Sequence, residues 1–480
     1  MNKKVVLYVL NRATLTFAGV LCLPLFVSLL YQEPVHVVVS WILSVLICLS
    51  LWSFSRIRPV NMKFYAREGL VICAALWLLF SLIGSLPLYL SGDFPTMIDA
   101  FFETASGLTT TGSSVALNVE TLHHSVLFWR SLTHLIGGMG VLILVLALLP
   151  QASASSVQIA KAEMPGPTFG KLVARLSDTA RILYLIYLIL TAVLAGFLLA
   201  GGMSLFDALC HAFGTAGTGG FGIRADSIAS YSPYIQWVLA IGMLVFSINF
   251  NLYYLLLTRK FKEFLKDEEL HWFLGVVVFC VAMILFNVAS LYQSLSTSFR
   301  DVFFTVSSVI STTGFTTANY DQWPALAHVM LYLCMFVGGC AGSTAGGLKA
   351  SRIGIYVKKA LSAIRKERDP HHVSVTLFNK KSISDASMSR LHSYLTMYIL
   401  LFSIILFVVA WDAPDFETAF SSVACTFNNV GPGFGDVSPI NNFAWYSPLS
   451  KIALSFGMIA GRLELWPVVV LFTPSTWKKY

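Results

Sequence analysis

The chain has 480 residues, of which 56% are hydrophobic and only 12% are charged. Soluble domains carry about 25% charged residues, so this composition excludes an ordinary soluble protein. The basic residues behind the formal net charge of +8 are spread over separate linkers, and we therefore expect no nucleic-acid partner. The chain is predicted to be an all-α polytopic membrane protein that lies in a lipid bilayer.

Apolar segments of membrane-spanning length occur along the whole chain. A helix needs about 20 mainly apolar residues to cross a bilayer. Ten segments meet this condition: 13–31, 36–55, 68–91, 126–150, 182–202, 235–258, 271–293, 325–349, 391–411 and 449–472. The first two are predicted to form an accessory transmembrane hairpin within residues 1–67. The first is expected to be retained, because it has no clear small-residue cleavage site.

The distribution of Lys and Arg predicts the orientation of these spans. All but five of the 32 basic residues lie near the termini or in the linkers 56–67, 161–181, 259–266 and 349–390. The five exceptions are Arg130, Arg224, Arg300, Lys451 and Arg462. Cytoplasmic loops of membrane proteins are rich in Lys and Arg, so both termini are predicted to be cytoplasmic.

One pattern occurs four times after residue 67: a long span, a short apolar helix that opens with an acid, a polar turn with a glycine, and a second long span. The predicted repeats are 68–160, 161–266, 267–380 and 381–480. Their short helices are 99–108, 207–216, 301–311 and 417–427, which are too short to cross a bilayer. The acid-to-glycine spacing is 13, 13, 13 and 14 residues. We therefore predict four pseudo-symmetric helix–pore loop–helix repeats around one pore.

The four turns are the predicted ion-binding elements. Irregular backbone at membrane depth must be buried in protein or line a watery path, and carbonyl oxygens can replace the hydration shell of a cation. Glycine permits the positive φ angles that such turns use. The candidate filter residues are Thr110, Thr111, Gly112, Gly219, Gly220, Thr313, Gly314, Val430 and Gly431.

The acids that open the short helices have two interpretations. They are Asp99, Asp207, Asp301 and Glu417. A carboxylate is favourable at a helix N-terminus, so capping is the first interpretation. Attraction of cations to the outer mouth of the pore is the alternative.

A glycine-rich stretch, GGCAGSTAGG, interrupts the predicted span 325–349 near its middle. Its glycines form two overlapping G-x-x-x-G steps, which are typical of helix packing. They also weaken a helix by roughly 0.8–1 kcal/mol each relative to Ala, which favours a loop that acts as a gate beneath the filter. The candidate gate residues are Gly338, Gly339, Gly342, Ser343, Thr344, Gly346, Gly347 and Lys349.

Arg462 lies about a dozen residues into the final span. A charge at this depth costs at least about 2.5 kcal/mol and usually faces the bundle interior or a cavity. Arg462 is therefore expected to face the pathway below the filter and to compete with the permeating cation. The alternative is a structural charge held by carbonyls or by a distant acid. A simple pair with Glu464 is not expected, because residues two apart lie on different helix faces.

The remaining reactive side chains give no catalytic motif. The eight cysteines lie in apolar segments without C-x-x-C spacing, so no disulfide framework or zinc site is expected. His134 and His211 are expected to be hydrogen-bonded interior residues and not metal ligands. No P-loop or Rossmann fingerprint occurs, so any nucleotide site must lie on a partner.

The chain resembles the Trk/Ktr/HKT superfamily of cation transporters over essentially its whole length. The resemblance rests on the four turns and on WRSLTHLIGGMG (129–140), GGCAGSTAGGLKASR (338–352) and GRLELWP (461–467). It implies a single-chain pseudo-fourfold pore in a bacterial inner membrane, with K⁺ as the bound and transported ion and Rb⁺ as a substitute. Glycine at all four filter positions goes with potassium selectivity in this superfamily, and the resemblance also favours the gating loop.

The resemblance further implies two kinds of partner. One is a second copy of the chain in a homodimer. The other is a cytosolic TrkA-like regulatory subunit that binds NAD(H), ATP or ADP, with the linkers 151–181 and 349–390 as its docking surfaces. No covalent cofactor is expected.

Three alternatives remain open at this point. A sodium-permeable or proton-coupled symporter of the same superfamily would share the fold, but the only embedded acid beyond the short helices is Glu464. A polytopic membrane enzyme would need a catalytic cluster, and none is evident. An assembly subunit would not need four matched polar turns.

Overall fold

The computed structural model describes residues 2–54, 66–140, 176–369 and 375–478, which form helices joined by turns. Two helices, α1 (Lys3–Leu30) and α2 (Val35–Phe54), form the N-terminal hairpin. The Trp41 indole of α2 donates a hydrogen bond of 3.0 Å to the Ser125 hydroxyl. The hairpin therefore packs against the outside of the pattern that follows.

The predicted order of a long helix, a short helix and a second helix occurs four times. The first copy contains α3 (Ala66–Leu90), α4 (Met97–Leu108) and α5 (His124–Gly138). The second contains α6 (Leu176–Ala200), α7 (Leu205–Gly217), α8 (Pro233–Phe246) and α9 (Phe250–Leu257), and α10 (Phe261–Leu265) follows it. The third contains α11 (Glu268–Val288), α12 (Leu295–Ile310), α13 (Ala325–Val337) and α14 (Ala350–Arg368). The fourth contains α15 (Asp385–Val409), α16 (Phe416–Phe427), α17 (Pro448–Arg462) and α18 (Trp466–Phe472). A small antiparallel hairpin, β1 (Leu377–Phe378) and β2 (Lys381–Ser382), precedes α15.

The four short helices close the copies into a ring. Each packs against the second helix of the preceding copy, in the pairs α4–α17, α7–α5, α12–α8 and α16–α13. The last copy therefore contacts the first. The long helices surround this ring and expose large apolar side chains, such as Phe286 on α11 and Phe407 on α15, as expected for lipid-facing surfaces.

The prediction of ten continuous spans is wrong for the second helices of the second, third and fourth copies. Within the described residues, six helices are long and apolar enough to cross a membrane, or seven if the pair α8–α9 counts as one span. That pair bends by 93°, where Asn249 caps α9. Helix α13 ends at Val337, and α17 ends before Glu464 and Leu465, which have positive φ angles. The span 126–150 can be followed only to residue 140, because the rest lies outside the described residues.

Local capping involves two of the four acids that open the short helices, and Glu417 follows the N-cap Asp415 of α16 without taking part in the cap. The hydroxyls of Thr96 and Ser204 accept hydrogen bonds from the backbone amides of Asp99 and Asp207, each the third residue of its helix. These bonds satisfy N–H groups that the first turn leaves free. The prediction for Asp301 is wrong, because α12 begins six residues earlier, at Leu295.

Candidate functional site

The four polar turns share one backbone conformation. Each turn has a non-glycine residue with a φ of 55–58° two positions before its glycine: Thr110, Thr218, Thr312 and Asn429. The glycines themselves have φ angles of 76–107°: Gly112, Gly220, Gly314 and Gly431. L-residues rarely adopt positive φ, so its recurrence at two matched positions in four turns marks equivalent structures. Of the four non-glycine residues, only Thr110 is among the candidate filter residues predicted from the sequence. The other three could have been identified by their position, two residues before the glycine of each turn.

The turns form a closed ring of backbone contacts. A Cβ atom added to any of the four glycines would lie less than 3.0 Å from a carbonyl oxygen of the next turn. The glycine and carbonyl pairs are Gly112 with Gly219, Gly220 with Thr313, Gly314 with Val430, and Gly431 with Thr111. Each carbonyl belongs to the residue directly before a glycine. Four equivalent carbonyls therefore alternate with four glycines around one axis.

Side chains fix the turns behind this ring. The Thr109 and Thr111 hydroxyls lie 2.8 Å apart in the first turn, and an equivalent Ser311–Thr313 pair lies 2.7 Å apart in the third. The Asn429 amide donates a bond of 2.9 Å to the Thr111 hydroxyl, which joins the fourth turn to the first. The turns therefore support one another as well as their own helices.

A buried ion pair that the sequence analysis did not identify supports the first turn. The Glu103 carboxylate lies 2.7 Å from the Arg130 guanidinium, and both side chains are at least 97% buried. Glu103 also accepts hydrogen bonds from the Val115 amide and the Ser114 hydroxyl, and Arg130 donates to the Gly222 carbonyl of the second turn. A charge inside a membrane span usually has a partner. The position of Arg130 within the predicted span 126–150 was therefore the sequence signal for a buried acid nearby.

Asp99 has a second role besides capping. Its carboxylate lies 2.6 Å from the ammonium of Lys451 at the start of α17, and both side chains are 9% exposed. This pair joins the first copy to the fourth. Asp99 therefore has an ionic partner within the protein.

Two cavities lie on the axis. The outer one has a volume of about 440 Å³ and is lined by the four filter glycines and the loops that follow them. The inner one measures only about 50 Å³ and is lined by the glycine-rich stretch, Met139 and Arg462. The cavity on one side of the ring is therefore much larger than the cavity on the other.

The glycine-rich stretch is a loop and not a packed helix. Helix α13 ends at Val337 with Gly338 as its C-cap, and Gly338, Gly342, Gly347 and Lys349 all have positive φ angles. The loop returns to its starting point, where the Ala350 amide donates to the Gly339 carbonyl at 3.0 Å. The candidate gate residues therefore lie together, between α13 and α14.

This loop contacts the filter turns directly. The Gly346 amide donates a bond of 2.7 Å to the Thr312 hydroxyl of the third turn. The neighbouring Gly347 amide donates a bond of 3.1 Å to the Asn428 carbonyl of the fourth. A shift of the loop would break both bonds.

The loop also fills the break between α8 and α9. The Cys340 amide donates to the Ser247 carbonyl at 2.9 Å, and the Phe250 amide donates to the Gly342 carbonyl at 3.0 Å. The Thr344 hydroxyl donates to the Phe246 carbonyl at 3.0 Å. The bend in the second copy thus provides backbone partners for the loop of the third.

Arg462 lies across the inner cavity. Its guanidinium donates to the Thr344 carbonyl of the loop at 2.5 Å and to the carbonyls of Gly137 and Gly138 at 2.7 and 2.5 Å. Arg462 therefore lines the inner cavity and is held there by carbonyls. Glu464 pairs with Arg352 on α14.

The histidines and cysteines have structural surroundings. His134 Nδ1 lies 2.9 Å from the Gly107 carbonyl, and its Nε2 accepts from the Phe221 amide at 3.2 Å. His211 Nδ1 lies 2.7 Å from the Asp207 carbonyl. The expected interior hydrogen bonding of both histidines is confirmed. All eight cysteines are free thiols, and the part of the chain that the structure describes contains no cluster of three metal-ligating side chains.

The fold and this site define a class: a polytopic membrane protein whose single chain closes four pore turns around one axis. A family model named TrkH and described as cation transport protein matches residues 35–479. The chain belongs to the TrkH family of cation transport proteins. It is therefore a transport protein and not an enzyme, which removes the membrane-enzyme alternative.

Individual relatives agree over the full length. The chain is 35% identical to the Trk system potassium uptake protein TrkH of Salmonella typhimurium, with all of both chains covered. It is 34% identical to the Trk system potassium uptake protein TrkG of Escherichia coli, covering 95% of this chain and 94% of that protein. The crystal structure of the potassium transporter TrkH from Vibrio parahaemolyticus matches with a TM-score of 0.88 and 28% identity, again over all of both chains.

Proposed function

We propose that this chain carries K⁺ into the cell across a bacterial inner membrane, as the membrane subunit of a potassium uptake system. The relatives named above are potassium uptake proteins, and the positive-inside pattern favours cytoplasmic termini. In this proposal the residues 68–160, 161–266, 267–380 and 381–480 each contribute one quarter of the pore.

The closed ring of glycines and carbonyls carries the proposal. A dehydrated monovalent cation needs several oxygen ligands without a fixed negative charge that would trap it. In this proposal the carbonyls of Thr111, Gly219, Thr313 and Val430 supply four such oxygens, and their closed ring with the four filter glycines supports this role. The C-terminal ends of the four short helices lead directly into the turns, so their partial negative charges favour a cation there.

The loop between α13 and α14 acts as the gate in this proposal. It lies at the narrow inner cavity together with Arg462, whose positive charge opposes a cation below the filter. Because Arg462 binds the Thr344 carbonyl of the loop, movement of the loop would also displace this charge. Deletion of residues 339–346 should therefore raise the flux.

The proposed regulatory partner is a cytosolic TrkA-like subunit that binds NAD(H), ATP or ADP. Helix α14 follows the loop directly and exposes Arg365, Lys366 and Arg368 near its end, so a partner bound there could pull on the loop. Residues 151–175 of the other candidate linker lie outside the described residues. A homodimer completes the proposed assembly. Alanine replacement of Lys358, Lys359, Arg365, Lys366 and Arg368 should weaken binding of the partner.

The test of the proposed function is ion flux into proteoliposomes that contain only this protein. Fluxes of K⁺, Rb⁺ and Na⁺ are compared for the natural chain, for Gly112→Ser and for Gly92→Ser. Gly92 is a matched control, because it also has a positive φ but a Cβ there would meet no atom within 4 Å. We expect K⁺ and Rb⁺ to enter faster than Na⁺, and only Gly112→Ser to lose this preference.

Other results would correct the proposal. Equal K⁺ and Na⁺ flux in the natural chain would favour the sodium-permeable alternative. Flux that acidifies the lumen in step with K⁺ entry would favour proton coupling. Flux that stays selective in Gly112→Ser would exclude the ring as the filter.

A further inference from the structure

Glu269 is a buried acid at the edge of the glycine-rich loop. It is the second residue of α11, where the dipole of the helix favours a carboxylate, and it is 5% exposed. It has no role in the ring of filter glycines. Its carboxylate instead lies behind the loop, on a helix that packs along α13 and α14.

One oxygen of Glu269 holds both sides of the loop. Oε1 accepts a hydrogen bond of 2.7 Å from the Ala341 amide, inside the loop. The same atom accepts a bond of 3.1 Å from the Ser351 amide, in the first turn of α14. Bonds from amides to a carboxylate are roughly twice as strong as bonds between neutral groups. Glu269 therefore ties the start of the loop to the helix that follows it.

The loop has a narrow neck at this place. A Cβ on Gly338 would lie 2.9 Å from the Gly347 Cα atom, so the two ends of the loop touch. Widening of the loop requires Ala341 and Ser351 to move relative to each other. That movement would break at least one of the two hydrogen bonds to Glu269.

The preceding residue, Glu268, faces a different set of groups. Its carboxylate accepts from the Asn379 amide at 2.9 Å and pairs with Lys358 on α14. These contacts lie beside the β hairpin and not at the loop. Two neighbouring glutamates of one helix thus have separate partners, which provides a matched control.

We propose that Glu269 is a positioning residue that latches the glycine-rich loop in its narrow arrangement. This inference rests on the proposed function, in which the loop is the gate. Loss of the carboxylate frees two buried amides and leaves the neck held by the Ala350–Gly339 bond, so the loop spends more time away from the inner cavity. The filter ring is untouched, and the ion preference stays the same.

The test measures Rb⁺ and Na⁺ flux in proteoliposomes for Glu269→Ala, Glu269→Gln, Glu268→Gln and a chain that lacks residues 339–346. We expect Glu269→Ala to raise Rb⁺ flux by about fivefold or more, and Glu269→Gln to raise it less, because a neutral oxygen still accepts hydrogen bonds. The Rb⁺ to Na⁺ ratio should be unchanged, and Glu268→Gln should have the natural flux. A misfolded protein would not gain selective flux, and the near-isosteric Gln variant tests the latch if the Ala variant does not fold.

Each other outcome has a defined meaning. If the loop deletion raises flux and neither Glu269 variant does, the latch is excluded and the gate stands. If the Glu269 variants gain flux without a gain from the deletion, the carboxylate acts elsewhere and the latch is wrong. If neither gains flux while the natural chain conducts, the proposed gate fails and the latch fails with it.

Discussion

The outer and inner halves of the pathway are built on different principles. In the outer half, four turns share the same φ pattern and contact one another in a closed cycle. In the inner half, each copy differs: α8 and α9 meet at a bend, a loop follows α13, and Arg462 ends α17. Within the described residues, the glycine-rich loop occurs only in the third copy.

This difference follows from what each half must do in the proposed mechanism. A filter distinguishes ions by equivalent ligands around one axis, so a change in one copy disturbs the whole ring. A gate needs two arrangements of one element, and a single loop with separate anchors can provide them. Symmetry therefore supports selection, and asymmetry supports movement.

Removal of the buried acid behind the outer ring should have the largest effect. Glu103→Leu leaves the Arg130 charge buried without its partner, which costs about 3–5 kcal/mol. We expect a large drop in the thermal stability of the detergent-solubilised protein. The double variant Glu103→Leu with Arg130→Met should recover much of this loss. If the single variant is as stable as the natural chain, the Glu103–Arg130 pair does not stabilise the outer half.

Substitution of the filter glycines tests whether the ring is equivalent in all copies. Positive φ at a non-glycine residue costs about 1–3 kcal/mol, and a Cβ would also collide with a carbonyl of the next turn. Gly112→Ala, Gly220→Ala and Gly314→Ala should each reduce K⁺ flux by about tenfold or more. The effect of Gly431→Ala on K⁺ flux should be smaller, because the added Cβ would lie 2.8 Å from the nearest oxygen, the largest such distance of the four. A loss of K⁺ flux in only one of these variants would mean that the four turns are not equivalent.

Arg462→Ala tests the asymmetric half. Three carbonyls of two different copies lose a charged donor, and hydrogen bonds to charged groups contribute about 1.5–3 kcal/mol. We expect K⁺ flux to rise by about tenfold, with protein abundance in the membrane little changed. Arg462→Lys keeps the charge without the forked geometry and separates the two contributions. A fall in abundance without a rise in flux would favour a purely structural charge.

The smallest expected effect concerns the link between the halves. Thr312→Val removes the hydroxyl that accepts the Gly346 amide of the loop, at a cost of about 1 kcal/mol. K⁺ flux should rise by about fivefold, with the preference for K⁺ over Na⁺ retained. Thr316→Val makes the same change four residues along the same turn and is the control. Identical behaviour of the two variants would mean that the loop and the filter are independent.

The sequence predicted the outer half well, because that half is encoded locally. A short apolar helix, an acid at its start and a glycine at a fixed distance are features of adjacent residues, and they repeat. The structure places all four filter glycines in equivalent turns. The residue Asp301 was misplaced only because helix start signals occur earlier in α12, around Ser294.

The inner half was predicted less well, since hydropathy does not distinguish a continuous helix from a broken one. The segments 235–258 and 449–472 are both mainly apolar, yet both contain breaks. Helix breaks at membrane depth are stable only where other backbone groups satisfy the free amides and carbonyls. Those groups come from other copies, and a linear pattern does not show them.

The sequence by itself thus determined that this is a fourfold-repeated membrane protein with glycine turns at matched positions, because composition and spacing set the length and register of each element. Tertiary structure alone decided which charges pair, such as Glu103 with Arg130 and Asp99 with Lys451, and how Glu269 meets the loop. The physical reason is that side chains on different helices meet only when those helices pack together. Glu103 meets Arg130 when two helices of the first copy pack, and Asp99 meets Lys451 only when the fourth copy packs against the first.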